Sequence, residues 1–122
     1  MLRIEVEARY PQLTLHCRGR LVLGLETEAL RSMVRGHPEK ELRVNLSGVR
    51  TIDAAGLGLL VELQREALER GQRLIITEPS RCVRRLIALM SLDQVLEIAD
   101  LGGKAAEKLP RTATNRPRVM TA

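Results

Sequence analysis

The feature that most restricts the fold is a strand, a helix and a strand in immediate succession mid-chain. In "ELRVNLSGV", Leu42, Val44 and Leu46 alternate with Arg43 and Asn45, the two-residue period of a strand with one covered face. A helix over Ala54 to Arg70 follows, rich in leucine, and Gly71 supplies a left-handed stop. "RLIIT" then resumes the extended pattern. Two strands joined through a helix lie parallel, and their crossover is right-handed.

The rest of the chain extends that unit. Leu2, Ile4, Val6 and Ala8 alternate with Arg3, Glu5, Glu7 and Arg9, and Leu13, Leu15 and Cys17 alternate with Thr14, His16 and Arg18. Tyr10-Pro11-Gln12 between them predicts a hairpin. Leu25, Ala29, Leu30, Met33 and Val34 form one helical stripe, with Glu26 and Glu28 in the first turn and Gly36-His37-Pro38 as the stop. Ser80 is placed to cap a third helix whose buried stripe is Val83, Leu86, Ile87 and Met90, and Val95 to Ile98 reads as a short last strand. The predicted order is β-β-α-β-α-β-α-β. It defines one α/β domain over residues 1–101, a mostly parallel sheet with helices mainly on one face. Residues 102–122, with Pro110 and Pro117, read as a disordered tail apart from a turn at Lys104–Leu109.

Composition narrows the function. A length of 122 residues with 44% apolar side chains supports one hydrophobic core. Tyr10 is the sole aromatic residue, so the core is aliphatic and single-stranded nucleic acid finds no stacking platform. The formal charge of +5 is uneven: residues 102–122 carry five basic side chains against one acidic, a net of +4, which leaves +1 for residues 1–101. A near-neutral domain gives no basis for specific nucleic-acid binding. Cys17 and Cys82 lack CxxC spacing and read as reduced thiols. No apolar stretch approaches membrane-spanning length, and the charged, alternating N-terminus is not a signal peptide, so the expectation is a cytoplasmic protein without membrane insertion.

No catalytic constellation emerges. The only imidazoles, His16 and His37, lie on a strand face and in a Gly-His-Pro turn, and neither is placed by spacing beside a nucleophile or a second metal ligand. "GLG" at 56–58 fails as a dinucleotide fingerprint, because Val61 occupies the third glycine position and the run lies within the helix. The expectation is a non-enzyme with no metal and no cofactor.

A binding surface remains. In parallel α/β sheets, ligands gather beyond the carboxyl ends of strands. Asp53 stands at such an end, able to cap the helix, and Ala54, Ala55 and Gly56 make a first turn with almost no side-chain bulk. The next turns are apolar nearly all round: Leu57, Leu59, Leu60, Val61 and Leu63. Either the helix is buried on two sides, or Leu57 or Leu59 is partly exposed as a docking site for another protein. Arg81, Arg84 and Arg85 make either a solvated helix face or a contact for an acidic partner.

Taken together, "LHCRGRL", "LRVNLSGVRTIDAAGLGLLVEL", "RGQRLIITEPS" and "VRRLIALMSLDQVLEI" resemble, in this order and spacing, the STAS domain of anti-sigma factor antagonists. The resemblance covers about residues 2–100. It implies a partner surface at Asp53, Ala54, Ala55, Gly56 and Leu57, and a serine-kinase-type anti-sigma factor as the partner. The family's phosphoacceptor hydroxyl precedes the glycine, so its match is Ala55; the preceding serine is Ala54, and Asn45 stands where an aspartate is common. A phosphate there would add about −1.5 to −2 charges against a docked partner, and alanine cannot carry it. The implied function is a phosphorylation-independent antagonist. The alternatives are an adaptor subunit of an ABC-type lipid-transport system, or transfer of the phosphate to Thr51 or Ser47.

Overall fold

The computed structural model describes residues 2–9, 11–99 and 118–121. Tyr10 and the candidate turn at Lys104–Leu109 lie outside them. Strands β1 (Leu2–Arg9) and β2 (Gln12–Leu21) form the antiparallel hairpin, with Arg9 opposite Gln12. Helix α1 (Leu25–Arg35) leads to β3 (Glu41–Ile52), then α2 (Ala54–Arg70), β4 (Arg73–Thr77) and α3 (Arg81–Leu89). Strands β2, β3 and β4 pair in parallel. A last strand, β5 (Arg118–Thr121), pairs antiparallel with β1, and the sheet order is β4-β3-β2-β1-β5.

The crossovers β2–α1–β3 and β3–α2–β4 advance in the same direction along the sheet, so right-handedness puts α1 and α2 on one face. The register lines up the residues that meet them: Val6, Leu15, Val44 and Ile76 lie in one row, and Ala8, Leu13, Leu42 and Leu74 in the next. The core there is aliphatic and includes Leu30, Val34, Leu60 and Leu63 from the helices. Polar groups seal its borders. Gln64 donates to the Leu74 carbonyl at 3.2 Å, and Gln72 donates to the carbonyls of His37 and Glu39 at 2.9 and 2.8 Å.

Four expectations need correction. Val95 to Ile98 is not a strand: a 3-10 turn at Leu92–Gln94 precedes it, and only an isolated parallel bridge joins Ile98 to Ile76. The Glu97 N–H is taken by the Gln64 side chain at 3.1 Å, which stops the ladder from extending. In α1, Leu30 and Val34 are buried as predicted and Met33 packs partly against the core, whereas Leu25 and Ala29 are exposed and Thr27 takes the inward place in the first turn. Ser80 precedes α3 without a side-chain capping bond, its hydroxyl lying 3.5 Å from the Cys82 thiol instead, and Met90 is exposed. Finally, Arg118–Thr121, within the segment 102–122 that reads as a disordered tail, forms β5, whose backbone pairs with the edge left open by β1.

Candidate functional site

Strand β3 ends at Ile52, and Asp53 follows in extended conformation as the N-cap of α2. Its two carboxylate oxygens do different work. Oδ1 accepts from the Gly56 N–H at 2.8 Å, satisfying one of the free donors of the first turn. Oδ2 accepts from the Leu23 N–H at 3.1 Å. One side chain therefore ties the loop after β2 to the start of α2. These backbone donors, Gly56 first and Leu23 second, hold the Asp53 carboxyl below its ordinary range.

Gly56 is required by close approach. A Cβ there would lie 2.3 Å from the Leu21 carbonyl oxygen and 2.9 Å from Ile52 Cγ1. The bare backbone lets the helix start settle directly against the end of β2. Two residues on, Gly58 faces open space.

The clamp fixes what the turn presents. Ala54 is exposed and Ala55 half-buried. Leu23, whose N–H Asp53 holds, is 74% exposed, and Leu25, two residues on at the start of α1, is 85% exposed, so two large apolar side chains stand in water. Leu25 also lines a shallow depression of about 370 Å³ with Leu2, Glu26 and Ala29. By contrast Leu57 and Leu59 are 3% and 2% exposed and belong to the core. The excess leucines of α2 thus reflect a helix packed deeply by its neighbours, and the Leu57 side chain cannot anchor a partner. The exposed leucines are one loop away, at a place the helical stripe assigned to Leu25 concealed.

The remaining sequence candidates lie apart. His16 pairs with Glu7 across the hairpin, and His37 Nδ1 lies 2.7 Å from the Met33 carbonyl at the end of α1. Burial pushes the Cys17 thiol up to about 12, so it stays protonated at neutral pH. Among the described residues no group of three His, Cys, Asp or Glu side chains could hold a metal. Asn45 accepts from the Ser47 N–H at 2.9 Å and the Ser47 hydroxyl at 2.8 Å, fixing the backbone midway along β3. Arg81, Arg84 and Arg85 are exposed on α3.

The Asp53 clamp has a pH signature. Its folded pKa is lowered, so its contribution is complete above the unfolded value of 3.8 and is lost as pH falls through the lower folded value. Asp53→Asn retains an acceptor that does not titrate. Urea titrations at about pH 7 and about pH 3 should show wild type ahead of the variant at the higher pH, with the gap shrinking at the lower. A gap independent of pH would assign the clamp no charge dependence.

The arrangement defines an α/β protein whose sheet end carries a small-residue turn flanked by exposed apolar side chains. The family model described as "Mlab, STAS domain" matches residues 12–98, and the chain belongs to the STAS domain family. A Thermotoga maritima protein provisionally named an anti-sigma factor antagonist is 30% identical over 66 residues, 54% of this chain; the match spans only 58% of that relative. A crystal structure of an anti-sigma factor antagonist so named from the same organism superposes with a TM-score of 0.68 at 21% identity, covering 87% of this chain and 93% of the other. The anti-sigma factor antagonist SpoIIAA in its unphosphorylated form gives 0.64 at 19% identity, covering 87% and 95%. At these identities the structures establish the shared fold. Among the described residues no helix is long and apolar enough to cross a membrane.

Proposed function

We propose that this STAS domain is a non-catalytic docking module whose partner surface comprises the Asp53–Gly56 turn and the adjoining Leu23–Leu25 loop. The observation that carries the reading is the Asp53 clamp, which holds an exposed leucine beside a helix start stripped to single-carbon side chains. Isolated exposed leucines are ordinary; an exposed leucine whose backbone is tied to an uncluttered helix start suits a protein surface. Ala55 at the phosphoacceptor position makes docking independent of phosphorylation, and the partner proposed from the resemblance is a serine-kinase-type anti-sigma factor. A second reading, an adaptor of an ABC-type lipid-transport system, is favoured by the same alanine, because a partner that is not a kinase has no use for a hydroxyl there.

Affinity capture from the native host separates these readings, with Ala55→Asp as the matched control. The substituted carboxylate sits in the first turn of α2, where it is favourable to the helix, so the melting curve should stay nearly unchanged. The intact protein should recover an ATPase-fold anti-sigma factor, and the variant should lose it. Recovery of an ABC permease or ATPase, again lost in the variant, would select the adaptor. Equal recovery by both proteins would remove the turn from the interface.

A further inference from the structure

The charges of α3 oppose its own dipole. Its first half carries Arg81, Arg84 and Arg85, its first turn has no acidic residue and its last turn no basic one. A helix dipole favours the reverse. No acidic residue stands anywhere between Glu78 and Asp93. Val83 and Ile87 are buried and set the inward stripe, so helical spacing puts Arg81, Arg84, Arg85, Ala88 and Leu89 side by side on the outer face, and all five are exposed. Arg84 donates to the Pro79 carbonyl at 3.0 Å, and neither Arg81 nor Arg85 forms an ion pair among the described residues.

The outer face ends in apolar side chains. Leu89 closes the helix at 72% exposure, and Met90 and Val95 follow it at 55% and 51%. The 3-10 turn at Leu92–Gln94 packs back on α3 and keeps this segment compact. Single exposed apolar residues are ordinary. Three within positions 89–95, bordering a helix face that is basic and free of acid, combine the two features that an interfacial surface needs.

We propose that the outer face of α3 and the turn after it dock on an anionic lipid surface. The guanidinium groups pair with lipid phosphates, while Leu89 and Met90 enter the boundary between headgroups and acyl chains. Arg85 lies about 6 Å back from Leu89 along the helix axis, close to the depth of one headgroup layer, about 5–8 Å. With α3 inclined so that Leu89 reaches the acyl boundary, Arg85 meets the phosphates and Arg81 the water side of the layer. An acidic peptide or a nucleic-acid backbone satisfies the arginines but leaves the leucine, methionine and valine in water. The surface is built from other elements than the Asp53 turn, so it stands whether or not that turn binds a partner.

Co-sedimentation of the full chain with mixed phosphatidylglycerol–phosphatidylcholine vesicles tests this, with pure phosphatidylcholine as the uncharged surface. Binding should require phosphatidylglycerol. Arg81→Gln with Arg85→Gln should weaken it roughly 25-fold, about fivefold per arginine at an anionic surface. Arg111→Gln with Arg116→Gln removes the same charge from elsewhere in the chain and should cost less than about threefold. Leu89→Ser with Met90→Ser leaves the charge unchanged and should still cost about tenfold. These α3 positions and Met90 are exposed, so thermal midpoints should stay near wild type. The chain has no tryptophan, so Leu89→Trp supplies a local probe whose emission should move to shorter wavelength on the anionic vesicles. Leu23→Trp, at a position of similar exposure on the β2–α1 loop, should show no shift. No binding to anionic vesicles, equal losses in the two arginine pairs, or unchanged emission from a vesicle-bound Leu89→Trp variant would overturn the proposal.

Discussion

Gly56→Ala is expected to lower the unfolding free energy by about 3 kcal/mol, while Gly58→Ala, two residues along the same helix, should raise it by about 0.5–1 kcal/mol. In each case one methyl group is added to α2, and the surroundings set the sign. At position 56 the methyl would lie 2.3 Å from the Leu21 carbonyl oxygen, and that atom is backbone, held in the β2–β3 pairing through Leu21 and Ile52. No rotamer change relieves the contact; the helix start must lift from β2, and with it the Asp53 bridge to Leu23. At position 58 there is open space, so the methyl simply removes the entropic disadvantage of glycine in a helix. Thermal midpoints should separate by about 10 °C or more in opposite directions from wild type. If Gly56→Ala melted with wild type, the close packing of α2 on β2 would not be a determinant of this fold.

The architecture was legible because periodicity changes cleanly from two to helical spacing, and because the β3–α2–β4 unit leaves few topologies. Its edges were not. Val95 to Ile98 has the composition of a strand, yet the outcome is decided by the distant Gln64, whose carbonyl oxygen takes the Glu97 N–H. Strand β5 carries no strong apolar alternation, and its pairing depends on backbone groups that β1 offers at the sheet edge. At the site, Asp53 as a helix cap and the need for small residues at 54–56 were readable from local sequence. The second bond of Asp53, to Leu23, was not, since thirty residues separate the partners. A signal did exist: a glycine stands at 24 between Leu23, which the strand period leaves unused, and Leu25, which the helical stripe claimed, and the structure holds that glycine at φ 122, a conformation that favours it.

The burial difference between Leu57 and Leu23 gives the second large effect. Leu57→Ala should cost about 2–5 kcal/mol of stability, because a nearly sealed side chain leaves a cavity among its core neighbours. Leu23→Ala, at 74% exposure, should change stability by less than about 0.5 kcal/mol. Binding should show the reverse order. Measured per folded molecule at a temperature where both variants remain native, the partner captured by the intact domain should be retained by Leu57→Ala and weakened by Leu23→Ala. Truncating a buried contact removes packing beneath the turn without altering the atoms it presents; truncating Leu23 removes an exposed side chain from the residue whose backbone N–H Asp53 holds. A Leu57 variant that is folded but has lost the partner, beside a Leu23 variant that binds normally, would move the interface away from the loop and onto a rearranged α2.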